Sequence, residues 1–104
     1  MVMEFRAFVE VTSRQPRPAE DWRRLHETLE RRLSGFGPIM SYWPDRPGDS
    51  AEVTVSTSAA EPVDAGRMLT DAVYLAVLAA GLGDCYVSAV QLETVADDDL
   101  AATA

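Results

Sequence analysis

Along the first strand-length of the chain, apolar and polar side chains alternate. From Glu4 to Thr12, Phe5, Ala7, Val9 and Val11 fall on one side, and Glu4, Arg6, Phe8 and Glu10 on the other. A period of two with one apolar side predicts a half-buried β-strand. The period then changes. Trp22, Leu25, Leu29 and Leu33 recur at helical spacing, predicting a helix over 19–34 with one narrow buried stripe. Pro18 suits its first turn, and Glu20 and Asp21 suit the positive end of its dipole. Glu20 with Arg24, and Glu27 with Arg31, stand in the favourable acid-first i,i+4 order. Gly35 is placed to end the helix in a left-handed cap, and Pro38 to prevent its resumption.

Ile39 to Trp43 reads as a short strand, and Glu52 to Thr57 as a second one of clean alternation. The prolines, glycine and aspartates from Pro44 to Asp49 make the link a hairpin with a long loop. Ser58 to Glu61 fits a capping box, and Pro62 serves equally as a first helical residue. A helix over 62–80 follows, with Asp64, Arg67, Asp71 and Tyr74 as its polar stripe and an apolar arc wide enough to imply burial on two sides or a partner. Gly81-Leu82-Gly83 stops it in Schellman fashion, and Cys85 to Val95 supplies the last strand. Residues 1–96 therefore read as one domain, and 97–104, with Asp97, Asp98 and Asp99, as an acidic tail.

The order β-α-β-β-α-β predicts an α+β, ferredoxin-like fold: a four-stranded antiparallel sheet of order 4-1-3-2 with both helices on one face. The other face is left uncovered. If Phe5, Val9 and Val11 meet the helices, the open face carries Arg6, Phe8 and Glu10, then Glu52, Thr54 and Ser56 from the third strand. The second strand adds either Met40 and Tyr42 or Ile39 and Trp43, and unbroken alternation in the last strand adds Cys85, Val87, Ala89 and Gln91. A mixed patch of this kind invites a second copy, a tail or a ligand.

Composition narrows the chemistry. The 104 residues, 47% hydrophobic and 25% charged, suit one soluble domain with one core. Nine Arg against seventeen acids give −8, which disfavours nucleic acid and anionic membrane surfaces. The imbalance is lopsided: up to and including Glu52 there are 8 Arg and 9 acids, net −1, and beyond it 1 Arg and 8 acids, net −7. The chain has no Lys and no Asn, so it can form neither a Schiff base, nor a P-loop, nor a Cys-His-Asn triad. Cys85 is a lone cysteine and His26 a lone histidine, which leaves no multi-cysteine zinc site and no pair of histidines for a metal. The start lacks the basic and long apolar regions of a secretory signal, and Ala72 to Leu82 is too short to span a bilayer. We therefore expect a cytoplasmic protein without membrane contact, metal or cofactor.

Families that share this topology make demands the residues can refuse. RNA-recognition modules stack bases on aromatics of the two central strands, and Val53-Thr54-Val55-Ser56 offers none. Acylphosphatase-like sites need an Asn and a glycine-rich loop after the first strand, where Ser13-Arg14-Gln15-Pro16 stands. Ferredoxins proper need several cysteines. In length and strand pattern the chain resembles the dimeric α+β barrels, whose sheets pack through their open faces. That family includes small monooxygenases and haem-degrading enzymes; the latter use an Asn, a Trp and a His, of which the Asn has no counterpart here.

The expectation for function is accordingly a non-enzymatic binding or oligomerisation module, a homodimer through the open sheet face or the second helix. Its interface or ligand residues are Arg6, Phe8, Glu10, Tyr42, Trp43, Thr54 and Val87. The alternative is a small-molecule enzyme or ligand-binding protein of the dimeric-barrel type, with His26 and Tyr42 as catalytic candidates beside Trp43 and Arg6. Cys85, preceded by Asp84, reads as a structural apolar residue.

Overall fold

The alternating run that opens the chain becomes the middle of the sheet. In the computed structural model, which describes residues 2–36, 39–43 and 48–95, β1 (Met3–Arg17) pairs antiparallel with β3 (Gly48–Ala59) on one side and with β4 (Cys85–Thr94) on the other. The short β2 (Met40–Tyr42) adds to the far side of β3, also antiparallel. The order is β2-β3-β1-β4, which read from the opposite edge is 4-1-3-2. The architecture is α+β, with an open four-stranded antiparallel sheet and two helices, α1 (Ala19–Arg32) and α2 (Pro62–Ala79).

One continuous core joins the helices to one sheet face. Ala7, Val9 and Val11 of β1 lie opposite Val55, Val53 and Ala51 of β3, so all six point the same way. They pack with Trp22, Leu25 and Leu29 of α1 and with Leu69, Val73, Ala76 and Val77 of α2. Phe5, Ala59 and Ala65 close a smaller cluster at one end. α1 keeps its narrow stripe, with Trp22, Leu25, Thr28 and Leu29 buried. Thr28 satisfies its buried hydroxyl by donating to the Arg24 carbonyl at 2.8 Å.

α2 ends as its glycine predicts. Gly81 takes a φ of 78°, the Leu82 amide donates to the Val77 carbonyl at 3.1 Å, and the Gly81 amide to Leu78 at 3.0 Å. These are the two bonds of a Schellman cap, with Leu82 buried beneath it. Its outer side leaves Met68, Leu75 and Leu78 exposed.

Several local expectations are corrected. β1 runs through the proline-containing stretch to Arg17, because β3 extends back to Gly48 and the two still pair there after a break in register beyond Thr12. α1 stops at Arg32, capped by Leu33 at φ −111°, and continues into a 3-10 turn (Ser34–Phe36); Gly35 has no positive φ. Ser58 and Ala59 belong to β3, so no capping box forms, and α2 begins with Pro62 behind the N-cap Glu61. The acidic tail and most of the hairpin loop lie outside the described residues. Among the described residues, no helix is long and apolar enough to cross a membrane.

The last strand brings the largest correction for function. Val11 is opposite Val87, but Glu10 is opposite Ala89, so Ser88 is an extra residue on β4. Such a bulge breaks the period-two alternation. Cys85 and Val87 therefore sit on the helix side, Cys85 buried and Val87 packed against the core, whereas Ala89 and Gln91 sit opposite Glu10 and Phe8 on the open side. Placing Cys85 and Val87 on the open face assumed an alternation that the bulge interrupts.

Candidate functional site

The open face is built from rows of residues lying side by side across the strands. One row holds Ser56, Arg6 and Glu93; the next Met40, Thr54, Phe8 and Gln91; the third Tyr42, Glu52, Glu10 and Ala89. Thr12 and Tyr86 stand beyond. Arg6, Phe8, Glu10, Tyr42 and Thr54 are thus brought together as the alternation predicts. Met40, Tyr42, Phe8 and Tyr86 are large and exposed, at 67%, 73%, 39% and 45%. Between β3, β1 and β4 lies a small hollow of about 150 Å³, lined by Phe8, Glu10, Glu52, Ala89 and Gln91 among others.

The charges of this face are arranged unevenly. The Arg6 guanidinium meets the Glu93 carboxylate at 3.2 Å, both side chains remaining nearly half exposed. Glu10 faces Glu52 directly across the β1–β3 ladder, where like charges repel. Ser88 steadies Glu10, its hydroxyl donating to Oε1 at 2.7 Å, and it lies 2.6 Å from the Thr12 hydroxyl. The bulge that spoils the strand pattern thus fixes one carboxylate of the open face. Tyr86 and Ser88 also reach this face, and the same phase break hides them from the alternation of the sequence.

Trp43 is not on this face. Ser41 pairs opposite the inward-facing Val53, and Ile39 and Trp43, on the same side of the strand, pack against the core. Of the two alternatives for β2, Met40 and Tyr42 point out. Trp43 instead meets His26 of α1, ring centroids 5.9 Å apart at 47°. His26 is part-buried, its Nδ1 2.6 Å from the Ser41 hydroxyl and its Nε2 3.0 Å from Glu30 Oε1. His26 and Tyr42 therefore lie on opposite faces and do not converge. Ser41, the residue that does meet His26, lacks a sequence signal of its own because the contact joins a helix to an edge strand.

A third polar cluster ties the loop before β4 to the start of α1. Arg17 pairs with Asp21 at 3.3 Å and with Asp84, while Arg24 meets Asp21 at 3.4 Å and donates from Nε to the Ala80 carbonyl at 2.9 Å. Arg24 thus turns to Asp21 and to the end of α2. Asp84, beside Cys85, is neutralised by Arg17. Among the described residues no group of three or more His, Cys, Asp or Glu could hold a metal ion.

No family model and no curated protein matches the chain. Among solved structures, the chain aligns over 91% of its length with 28% of a hydantoinase/carbamoylase family amidase from Burkholderia ambifaria, at 16% identity and a TM-score of 0.44.

Proposed function

We propose that this chain is a ferredoxin-like self-association module that forms a homodimer by covering its open sheet face with a second copy. The observation that carries the reading is the contrast of Phe8, Met40, Tyr42 and Tyr86, large and exposed, with the helix side of the central strands, where Ala7, Val9 and Val11 of β1 and Ala51, Val53 and Val55 of β3 are buried. An uncovered sheet face bearing aromatic and methionine side chains among polar ones has the make-up of an interface core with a polar rim. A cytoplasmic setting is part of the proposal, supported by Cys85 as a buried free thiol.

Sedimentation or light scattering over a concentration series tests it. The expected result is a concentration-dependent dimer that Phe8→Glu converts to a monomer with an unchanged circular dichroism spectrum. A wild-type chain that stays monomeric at all concentrations, or a dimer indifferent to Phe8→Glu, overturns the sheet-face reading; in the second case Leu75→Glu on the outer side of α2 reports whether that helix is the contact.

A second reading, a small-molecule enzyme or ligand-binding protein of the dimeric-barrel type, is favoured by one observation. The imidazole of His26 stands between a hydroxyl and a carboxylate, the order needed to take a proton from Ser41 while holding charge against Glu30. Its test is covalent labelling of Ser41 by a fluorophosphonate, expected to be lost in His26→Gln; absence of labelling in the wild type removes it.

A further inference from the structure

Resting on the sheet-face reading, we propose that the second copy docks with its β1 antiparallel to the first, about a two-fold axis that runs across the strands at Phe8, so that Arg6 of each copy meets Glu10 of the other. The charge pattern chooses this orientation. An isologous contact between two sheet faces has its two-fold axis in the plane between them, and in an aligned packing, with the strands of one sheet along those of the other, the axis runs either along the strands or across them. With the axis along β1, each residue of the strand faces itself. Arg6 then opposes Arg6 and Glu10 opposes Glu10, and like-charge juxtaposition within an interface is strongly unfavourable. With the axis across the strands at Phe8, the residue two before Phe8 faces the residue two after it.

The register of the sheet carries the same exchange to the neighbouring strands. The row of Ser56, Arg6 and Glu93 comes over the row of Glu52, Glu10 and Ala89. Glu52 then faces the hydroxyl of Ser56, Glu10 faces the guanidinium of Arg6, and Glu93 faces the methyl of Ala89. No carboxylate of the three rows faces a carboxylate. The row on the axis brings Phe8, Thr54, Gln91 and Met40 each against its own copy, all of them uncharged. The Glu10–Glu52 repulsion present within one sheet is relieved from outside it, and Arg6, held to Glu93 through Nη1 alone, keeps its remaining donors for the partner.

Charge reversal in the full chain tests the orientation. Arg6→Glu and Glu10→Arg each create two like-charge contacts per dimer, and each is expected to raise the dissociation constant on the order of 100-fold. The double variant Arg6→Glu/Glu10→Arg restores opposite charges and is expected to self-associate within a few-fold of the wild type. Mixed with labelled wild type, the double variant is expected to form no heterodimer, because Arg would then face Arg and Glu face Glu. Glu93→Gln controls for loss of the Arg6 pair within one chain and is expected to leave association within about threefold of the wild type.

Single reversals that leave association unchanged, or a double variant that is as weak as either single one, overturn the orientation. If they do so while Phe8→Glu still gives a monomer, the sheet-face module stands and only this arrangement falls. If Phe8→Glu leaves the dimer intact, both fall together.

Discussion

The two faces of this sheet are cut from the same strands, and neighbouring residues on β1 belong to different worlds. Val9 is 1% exposed, between Val53 and Val90 across the ladders and against both helices' core residues; Phe8, one peptide bond earlier, is 39% exposed among Thr54, Gln91 and a pair of glutamates. The covered face is apolar along the middle of β1 and β3, with its polar contacts, Ser13 to Arg17 and Ser41 to His26, at the margins. The open face mixes aromatics, hydroxyls and charges, with Ser88 fixing Glu10 and Glu93 fixing Arg6. Stability therefore resides on one side and, under the self-association reading, recognition on the other. Substitutions on adjacent residues can break that division directly.

The largest effect is expected from Val9→Glu. Among the described core residues around Val9 none is a cation that could meet a carboxylate, and burying an unpaired charge costs several kcal/mol, comparable with the ~5–15 kcal/mol that holds a small domain folded. Loss of the cooperative thermal transition is the expected result, read by circular dichroism; a retained transition within a few degrees of the wild type would show that the helix-side face is looser than its burial implies. Next comes Leu69→Ala. This fully buried α2 side chain packs into the same cluster, and its truncation is expected to destabilise by about 2–5 kcal/mol in a urea titration with little change in slope.

Those two expectations follow from features that were legible in the chain. The alternation of β1 and of Glu52 to Thr57, the three-and-four spacing of Trp22 to Leu33 and the glycine after α2 each reflect a local rule that the packing obeys, and together they yield the antiparallel order with both helices on one face. The site was legible only where alternation held. Arg6, Phe8, Glu10 and Thr54 lie on strands paired without interruption across those positions, so their side was readable. The bulge at Ser88 depends on how β4 fits against β1 and reverses the phase for Cys85 and Val87, moving them inward. Trp43 could not be assigned from a three-residue strand whose two sides are both rich in large residues. The His26–Ser41 contact joins residues from two elements, which no spacing announces.

A smaller effect isolates the bulge. Ser88→Ala removes the hydroxyl that donates to Glu10 Oε1 and meets Thr12, both at the exposed surface, so only about 1 kcal/mol of stability is expected to be lost. The more telling readout is association. With Glu10 released, the dimer described above is expected to weaken by a few-fold; a change in stability without any change in association would detach the bulge from recognition and leave it a feature of the sheet alone.

Phe8→Glu is expected to do least to the fold of the single chain, and that is its value. The side chain it replaces makes its contacts on the open face, where a carboxylate stays solvated, and exposed substitutions away from caps and buried networks stay within about 0.5 kcal/mol. Measured at concentrations where the wild type is monomeric, the two melting curves should coincide; at high concentration only the wild type should gain stability, because a partner that binds the folded state alone raises the transition by mass action. A variant destabilised equally at both concentrations would mean that Phe8 serves the core, and the division between the two faces would then fail at its central residue.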